Sequence, residues 1–426
     1  MKIQAIIIEI GFFVLICITA GVYLLQTRYL KKDRSSIKVG ILHSRSGSLA
    51  ISEAGVIDAY LMAIDEINAA GGILGKKIEP IIYDGKSDPA IFEREARALI
   101  TLDLVDVIFG CWSSSSRKAV KKVVEDYNHL LIYPTYFEGL EESPNIVYTG
   151  ATANQQIIPG LIWCVNNLGK KIFLIGSDYL YPRASNAIIK DYSKIIGATI
   201  VGEIYTPIGE TMFADVVNAI KEAKPDVILN TLVGESNDAF FDDLKKVGGI
   251  TSAQIPCLAF ALSEQEISTI DTQFILGHYA CASYFQSTPT AANKNFIERF
   301  KKKFGSQRTI GEVMETAYYS MYLWAQAAEQ AQSSKPRKII PAIKNQGRQI
   351  PEGLVYVDPV SLYTWNSISV GKVNTKGQFV VVYTSLKNIF PVPYPPTRTR
   401  EQWETFLQEL YDSWGGHWQG PIKGAV

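Results

Sequence analysis

Residues 110–120 read GCWSSSSRKAV, and four consecutive hydroxyls behind a tryptophan allow three chemistries: a nucleophile, a helix cap, or a set of donors aimed at a ligand. A serine hydrolase of the α/β type carries its nucleophile in Gly-x-Ser-x-Gly at a strand-to-helix turn. Here Gly110-Cys111-Trp112-Ser113-Ser114 lacks the second glycine, and a triad would have to draw on His129, which opens an apolar run. Nucleophilic catalysis is not expected. Serine also favours N-caps, so one hydroxyl should cap a helix beginning near Arg117. That accounts for one serine of four. The loop follows the apolar run 105–109, and the carboxyl end of a parallel strand is where open α/β sheets bind ligands. Ser113, Ser114 and Ser115 are therefore expected to face a small polar ligand, with Trp112 as an apolar wall.

Three further stretches end apolar runs in the same way. Tyr133-Pro134-Thr135-Tyr136 presents hydroxyls, Ser177-Asp178-Tyr179-Leu180-Tyr181 adds a carboxylate, and Leu262-Ser263-Glu264 supplies a hydroxyl and a second carboxylate. Tyr133, Thr135, Asp178, Tyr179, Tyr181, Ser263 and Glu264 complete the candidate binding set. Two other motifs fail on inspection. Gly71-Gly72-Ile73-Leu74-Gly75-Lys76-Lys77 has the wrong spacing for a phosphate loop and no hydroxyl after the lysine, so it reads as a helix-to-strand turn. The five cysteines form no CxxC and the four histidines have no metal-ligand spacing, so neither a metal nor a cofactor is expected.

These loops need elements to hold them. The 426 residues exceed one ordinary core, and 47% hydrophobic with 20% charged residues is the balance of a folded protein. Zero net charge without a basic stripe argues against a nucleic-acid partner. From residue 37 short apolar runs alternate with amphipathic stretches: strands at 38–42, 78–83, 105–109 and 130–133, helices at 58–68, 90–102 and 117–127. The alternation restarts at 154 and runs to about 261, and a long helix is expected over 312–331. The fold class is thus α/β: two similar lobes, each a mostly parallel sheet flanked by helices, with a cleft between them. The expected division is 37–150 plus about 288–348 for lobe 1 and 151–287 plus about 349–390 for lobe 2. A Pro-rich tail, 391–426, carries a docking helix over 400–414.

Residues 1–36 stand apart. Residues 5–25 are apolar except for Glu9 and Thr19, long enough to span a bilayer and without a clear cleavage site. An uncleaved membrane anchor is expected, with a cleaved signal segment as the alternative, although Arg28, Lys31, Lys32 and Arg34 follow it where only Lys2 precedes it.

With the loops assembled, the chain resembles the type I periplasmic binding proteins, in the branch of urea and short-chain amide receptors. The resemblance is carried by ILHSRSGSLAISE (41–53), AIDEINAAGGILGKKIEP (63–80), GCWSSSSRKAV (110–120), SPNIVYTGATANQQIIP (143–159), IGSDYLYPRASN (175–186) and WGGHWQGP (414–421). It implies an extracytoplasmic, non-enzymatic protein that captures a small neutral ligand, urea or an amide, and delivers it to the membrane subunits of an ABC-type importer. It also implies ligand contacts from Trp112, Ser114, Tyr133, Thr135, Tyr179 and Tyr181. Tyr136-Phe137 and Ala261-Leu262 depart from the pattern, so the ligand stays open between urea, an amide and an amino acid of the branched-chain type. A membrane-tethered sensor working through a signalling partner is the other alternative.

Overall fold

The computed structural model describes residues 35–421. The apolar segment 5–25, expected as an anchor, lies outside them. Among the described residues no helix is long and apolar enough to cross a membrane.

The first lobe is a five-stranded parallel sheet in the order β2-β1-β3-β4-β5. Its strands are β1 (Ser36–His43), β2 (Lys77–Asp84), β3 (Ile108–Gly110), β4 (Leu131–Tyr133) and β5 (Ile146–Tyr148). Crossover helices α1 (Ala50–Ala69), α2 (Pro89–Thr101) and α3 (Ser114–Asp126) connect the first four, as parallel pairing requires. Helix α1 begins eight residues before the expected 58. Apolar and small residues bury it on nearly every side, so no clean amphipathic stripe marked its first two turns.

The second lobe follows with α4 (Ile157–Asn167), β6 (Lys171–Ser177), α5 (Leu180–Ile196), β7 (Thr199–Thr206), α6 (Ala214–Ala223), β8 (Val227–Thr231), α7 (Ser236–Lys246) and β9 (Cys257–Ala259). Short helices α8 (Glu264–Ile267) and α9 (Thr272–Ile275) lead to β10 (Tyr279–Ala282). The chain then returns to the first lobe with α10 (Ala291–Phe304), α11 (Glu312–Ala331) and α12 (Pro336–Ile343). Helix α11 packs along α1, and its Trp324 meets Phe109 of β3 edge-on at 5.8 Å. A small antiparallel sheet of β11 (Gly347–Gln349), β12 (Leu354–Val357) and β13 (Thr364–Trp365) is stitched to β5 through a Tyr148–Tyr363 bridge and stacked rings 4.4 Å apart. β14 (Ser369–Val373) and β15 (Phe379–Thr384) close the second sheet, in the order β15-β14-β10-β9-β8-β6-β7. Only β14 runs against the other strands.

The chain therefore passes between lobes near 149–156, 283–290 and 366–368. Three crossings of this kind form a hinge, and the strand ends of both sheets face each other across it. Helix α13 (Arg400–Ser413) docks through buried Trp403 and Leu407, and Trp403 Nε1 donates to the Pro395 carbonyl at 2.9 Å.

Candidate functional site

The serine loop is set by a tight turn. A side chain at Gly110 would lie 2.3 Å from the Leu42 carbonyl, so only glycine lets β3 end against β1. Cys111 then turns the chain with φ of 68°, the left-handed region that a non-glycine residue adopts at a cost. Ser113 is the N-cap of α3: its Oγ accepts from the Ser116 amide at 3.1 Å and lies 3.0 Å from Ser115 Oγ. The helix thus starts three residues ahead of the expected Arg117.

Ser114 belongs to a different structure. Its Oγ donates to Glu138 Oε2 at 2.5 Å and accepts from Arg117 Nη1 at 3.0 Å. Arg117 is fully buried, with Nη2 on Glu138 at 2.6 Å and Nε on Glu141 at 3.0 Å, and its guanidinium lies over the rings of Tyr133 and Phe137. Burial alone would discharge this arginine, but the two glutamates hold its pKa well above the ordinary value. Burial likewise opposes ionisation of Glu141, yet Lys118 and Arg117 hold it down at about 2. Buried charges this closely matched are costly to break singly. The first turn of α3 is anchored by an ion cluster behind the cleft wall.

The other strand ends divide their groups between wall and cleft. Tyr133 Oη donates to the Trp112 carbonyl at 2.8 Å, and Thr135 Oγ1 donates to the Cys111 carbonyl at 3.3 Å. Both hydroxyls hold the neighbouring loop. Tyr136 is the next side chain to reach the cleft, and its ring meets Trp112 edge-on at 6.0 Å and Tyr181 at 5.8 Å. In the second lobe Tyr179 and Tyr181 are almost fully buried, and Tyr181 Oη has no hydrogen-bond partner. Asp178 is paired with Arg183 at 2.7 Å. Ser113, Ser115 and Asp178 line an outer opening of about 350 Å³, together with Ser48, Ser87 and Gln419.

Deeper between the lobes lies a cavity walled by Ser52, Trp112, Tyr136, Ser263, Glu266 and Glu312, with Phe260 and Leu262 as apolar lining. The lobes are closed on it: the centre of a water-sized sphere can occupy about 10 Å³, roughly the room for one water. Ser263 caps α8, where its hydroxyl and amide both donate to Glu266 Oε2 in a capping box. Ser52 of α1 donates to the other Glu266 oxygen at 2.7 Å and so bridges the lobes. Glu264 points away from the cavity, accepting from the Gln286 amide at 2.6 Å in the hinge segment while its second oxygen is buried without a partner. Burial pushes Glu264 up to about 8 and Glu312 up to about 7.

Of the residues expected from sequence, Trp112 and Ser263 wall the inner cavity, and Ser113, Ser115 and Asp178 line the opening. Tyr179 and Tyr181 back Tyr136 through ring contacts. Ser114, Tyr133 and Thr135 brace the wall, and Glu264 sits at the hinge. Ser52, Tyr136, Glu266 and Glu312 were not singled out. One signal was available: Ser263-x-x-Glu266 is a capping-box spacing, which turns Glu266 back toward the helix start. Among the described residues no group of three His, Cys, Asp or Glu is placed to hold a metal.

Two sheets with opposed strand ends, three crossings and a polar–aromatic cavity define the class of hinged, two-lobed solute-binding proteins. Residues 37–400 match the family described as the periplasmic binding protein domain, and the chain belongs to that family. It is 28% identical over 348 residues to the Leu/Ile/Val-binding protein homolog 8 of Brucella abortus, covering 75% of this chain and 82% of that one. A limonene hydroxylase from Geobacillus stearothermophilus is 28% identical over only 128 residues, 30% of this chain and 23% of that protein. Among solved structures, an R. palustris ABC-transporter solute-binding protein in complex with 4-hydroxybenzoate superposes with a TM-score of 0.77 at 21% identity, covering 83% and 98% of the two chains. By family, this chain is thus an extracytoplasmic solute-binding protein.

Proposed function

We propose that the protein captures a small planar amide, urea being the simplest, in the interlobe cavity and delivers it to the membrane subunits of an importer, with residues 5–25 as its tether. The observation that carries this reading is the size and lining of the cavity. Trp112 and Tyr136 offer ring faces to a flat group, and Ser52, Ser263, Glu266 and Glu312 surround it with polar atoms. A ligand of four heavy atoms needs only slight opening of the lobes, whereas an aliphatic side chain would have to displace Tyr136 or Trp112. Trp112, Tyr136 and Ser263 are the ligand-facing residues in this reading, with Tyr181 and then Tyr179 behind Tyr136. Ser113, Ser115 and Asp178 would meet the ligand on entry, and Ser114, Tyr133, Thr135 and Glu264 would act through the loops they brace.

The similarity to a Leu/Ile/Val-binding homolog supports a second reading, capture of a branched-chain amino acid. Its carboxylate would meet the hydroxyls and helix start at Ser113–Ser115. Calorimetric titration of the full chain in detergent with urea, acetamide and leucine separates the two. Urea or acetamide binding, weakened ~10-fold or more by Tyr136→Ala, is the expected result. Leucine binding without amide binding would move the protein to the amino-acid class.

A further inference from the structure

The cavity's polar groups are unevenly matched to a neutral amide. Its lining contains two carboxylates, Glu266 and Glu312, and no lysine, arginine or histidine. The nearby cations are spent elsewhere: Arg117 on Glu138 and Glu141, Lys118 on Glu141, Arg183 on Asp178. The hydroxyls of Ser52 and Ser263 both give their single hydrogen to Glu266, so toward a ligand they are left as acceptors. Glu312 has Oε1 fixed by the Ser283 amide and hydroxyl, both at 2.7 Å, which aims the carboxylate rather than neutralising it. The lining side chains that can still donate to a urea carbonyl are neutral, Gln265, Trp112 and Tyr136, and they face two carboxylates.

We infer that, among small planar nitrogen compounds, this cavity takes the positively charged ones, an amidinium or guanidinium, in preference to the neutral amide of the same shape. The inference rests on the reading that the interlobe cavity is the ligand site. A planar N–C–N cation offers only N–H donors, pairs with carboxylates through parallel hydrogen bonds, and is attracted to ring faces such as those of Trp112 and Tyr136.

The surroundings of Glu312 point the same way. The titratable groups facing it are Glu264 and Glu266 from the α8 turn, Glu315 from its own helix, Glu352 from the turn before Leu354, the Cys281 thiol of β10, and the phenols of Tyr136 and Tyr181. All are acids. Both Glu315 oxygens and one Glu352 oxygen are buried without a partner. Burial holds Glu312 near 7, and a bound cation would draw it back toward ionisation, releasing a proton. Affinity for a cation should then rise with pH between 6 and 8.

The test is calorimetric titration of the full chain in detergent with guanidinium, acetamidinium, urea and acetamide at pH 6 and pH 8, on the native sequence and Glu312→Gln. The expected result at pH 8 is binding of a cation ~10-fold or more tighter than its neutral counterpart, in keeping with a charge-assisted contact. That advantage should shrink at pH 6 and collapse in Glu312→Gln. Tighter binding of urea or acetamide at pH 8 would overturn the inference and leave the amide reading standing. Binding of neither kind, or of leucine alone, would overturn both. A melting temperature for Glu312→Gln at or above that of the native chain shows that a lost preference is not lost folding.

Discussion

Ser52 of α1 and Glu266 of α8 share a 2.7 Å hydrogen bond that runs from one lobe to the other across the cavity floor. It is a direct polar latch between elements that no strand joins. Removing the hydroxyl with Ser52→Ala leaves one Glu266 oxygen unmatched while the lobes stay closed, at a cost of ~1–3 kcal/mol. Opening the cleft restores water to that oxygen, so the open arrangement should gain population. Small-angle scattering of the ligand-free protein is expected to show a larger radius of gyration for Ser52→Ala. An unchanged profile would mean that closure rests on other contacts.

The second prediction concerns the ion cluster under the serine loop. Arg117→Met removes the guanidinium, strands buried Glu138 without a cation and leaves buried Glu141 with Lys118 alone. Breaking a buried pair from one side costs ~3–5 kcal/mol. Calorimetric melting should show a loss of several degrees, and the loop 111–117 should exchange amide hydrogens faster. Acid should find the same cluster. Glu141 is held at about 2 against an ordinary 4.5, so its stabilisation is complete above 4.5 and lost as pH falls toward 2. The Arg117→Met chain should accordingly lose less of its remaining stability over that range.

How much of this was open to reading in the sequence depends on which physics fixes each feature. The alternation of apolar runs and helical stretches depends on local period, and it gave helix α11 with its observed limits and most parallel strands, but not β5 or β10, which are only three and four residues long. It missed the start of α1, where burial on several faces erases the period. Strand-end hydroxyls were legible as a class because parallel sheets bind at that end. Which neighbour faces the cleft was not, since tertiary partners decide it. Ser114 looks like a ligand donor until Glu138, 24 residues away, takes its hydrogen. Glu264 and Glu266 differ only in their place on the α8 turn, and the cap by Ser263 draws Glu266 inward and leaves Glu264 to Gln286.

Glu264 carries the third prediction. Its folded value of about 8 lies above the ordinary 4.5, because burial disfavours the charged form. A raised carboxyl contributes stability that is fully present below 4.5 and lost as pH rises through 8. Glu312, at about 7, adds the same sign. Melting temperature should therefore fall between pH 6 and pH 9 in the native chain. Glu264→Gln keeps an acceptor for the Gln286 amide and cannot ionise, so its decline should be shallower. Parallel curves for the two proteins would remove Glu264 from the account.

The last prediction turns on the tail, which touches both lobes beside the cleft. Arg400 pairs with Glu142 and Lys118 lies over the Trp418 ring on the first lobe, while Arg398 pairs with Asp191 on the second. Gly420 rests against the Asp178 carbonyl: a Cβ there would come within 1.7 Å of that oxygen, and its φ of 85° favours glycine. Gln419 and Pro421 then form part of the outer opening. Gly420→Ala must lift the end of the tail off the rim, since the obstructing atom is backbone and cannot give way. The core of helix α13, held by Trp403 and Leu407, is untouched. Stopped-flow binding is expected to show faster ligand entry and release with little change in melting temperature. Unchanged rates would show that the tail covers the second lobe without gating the opening.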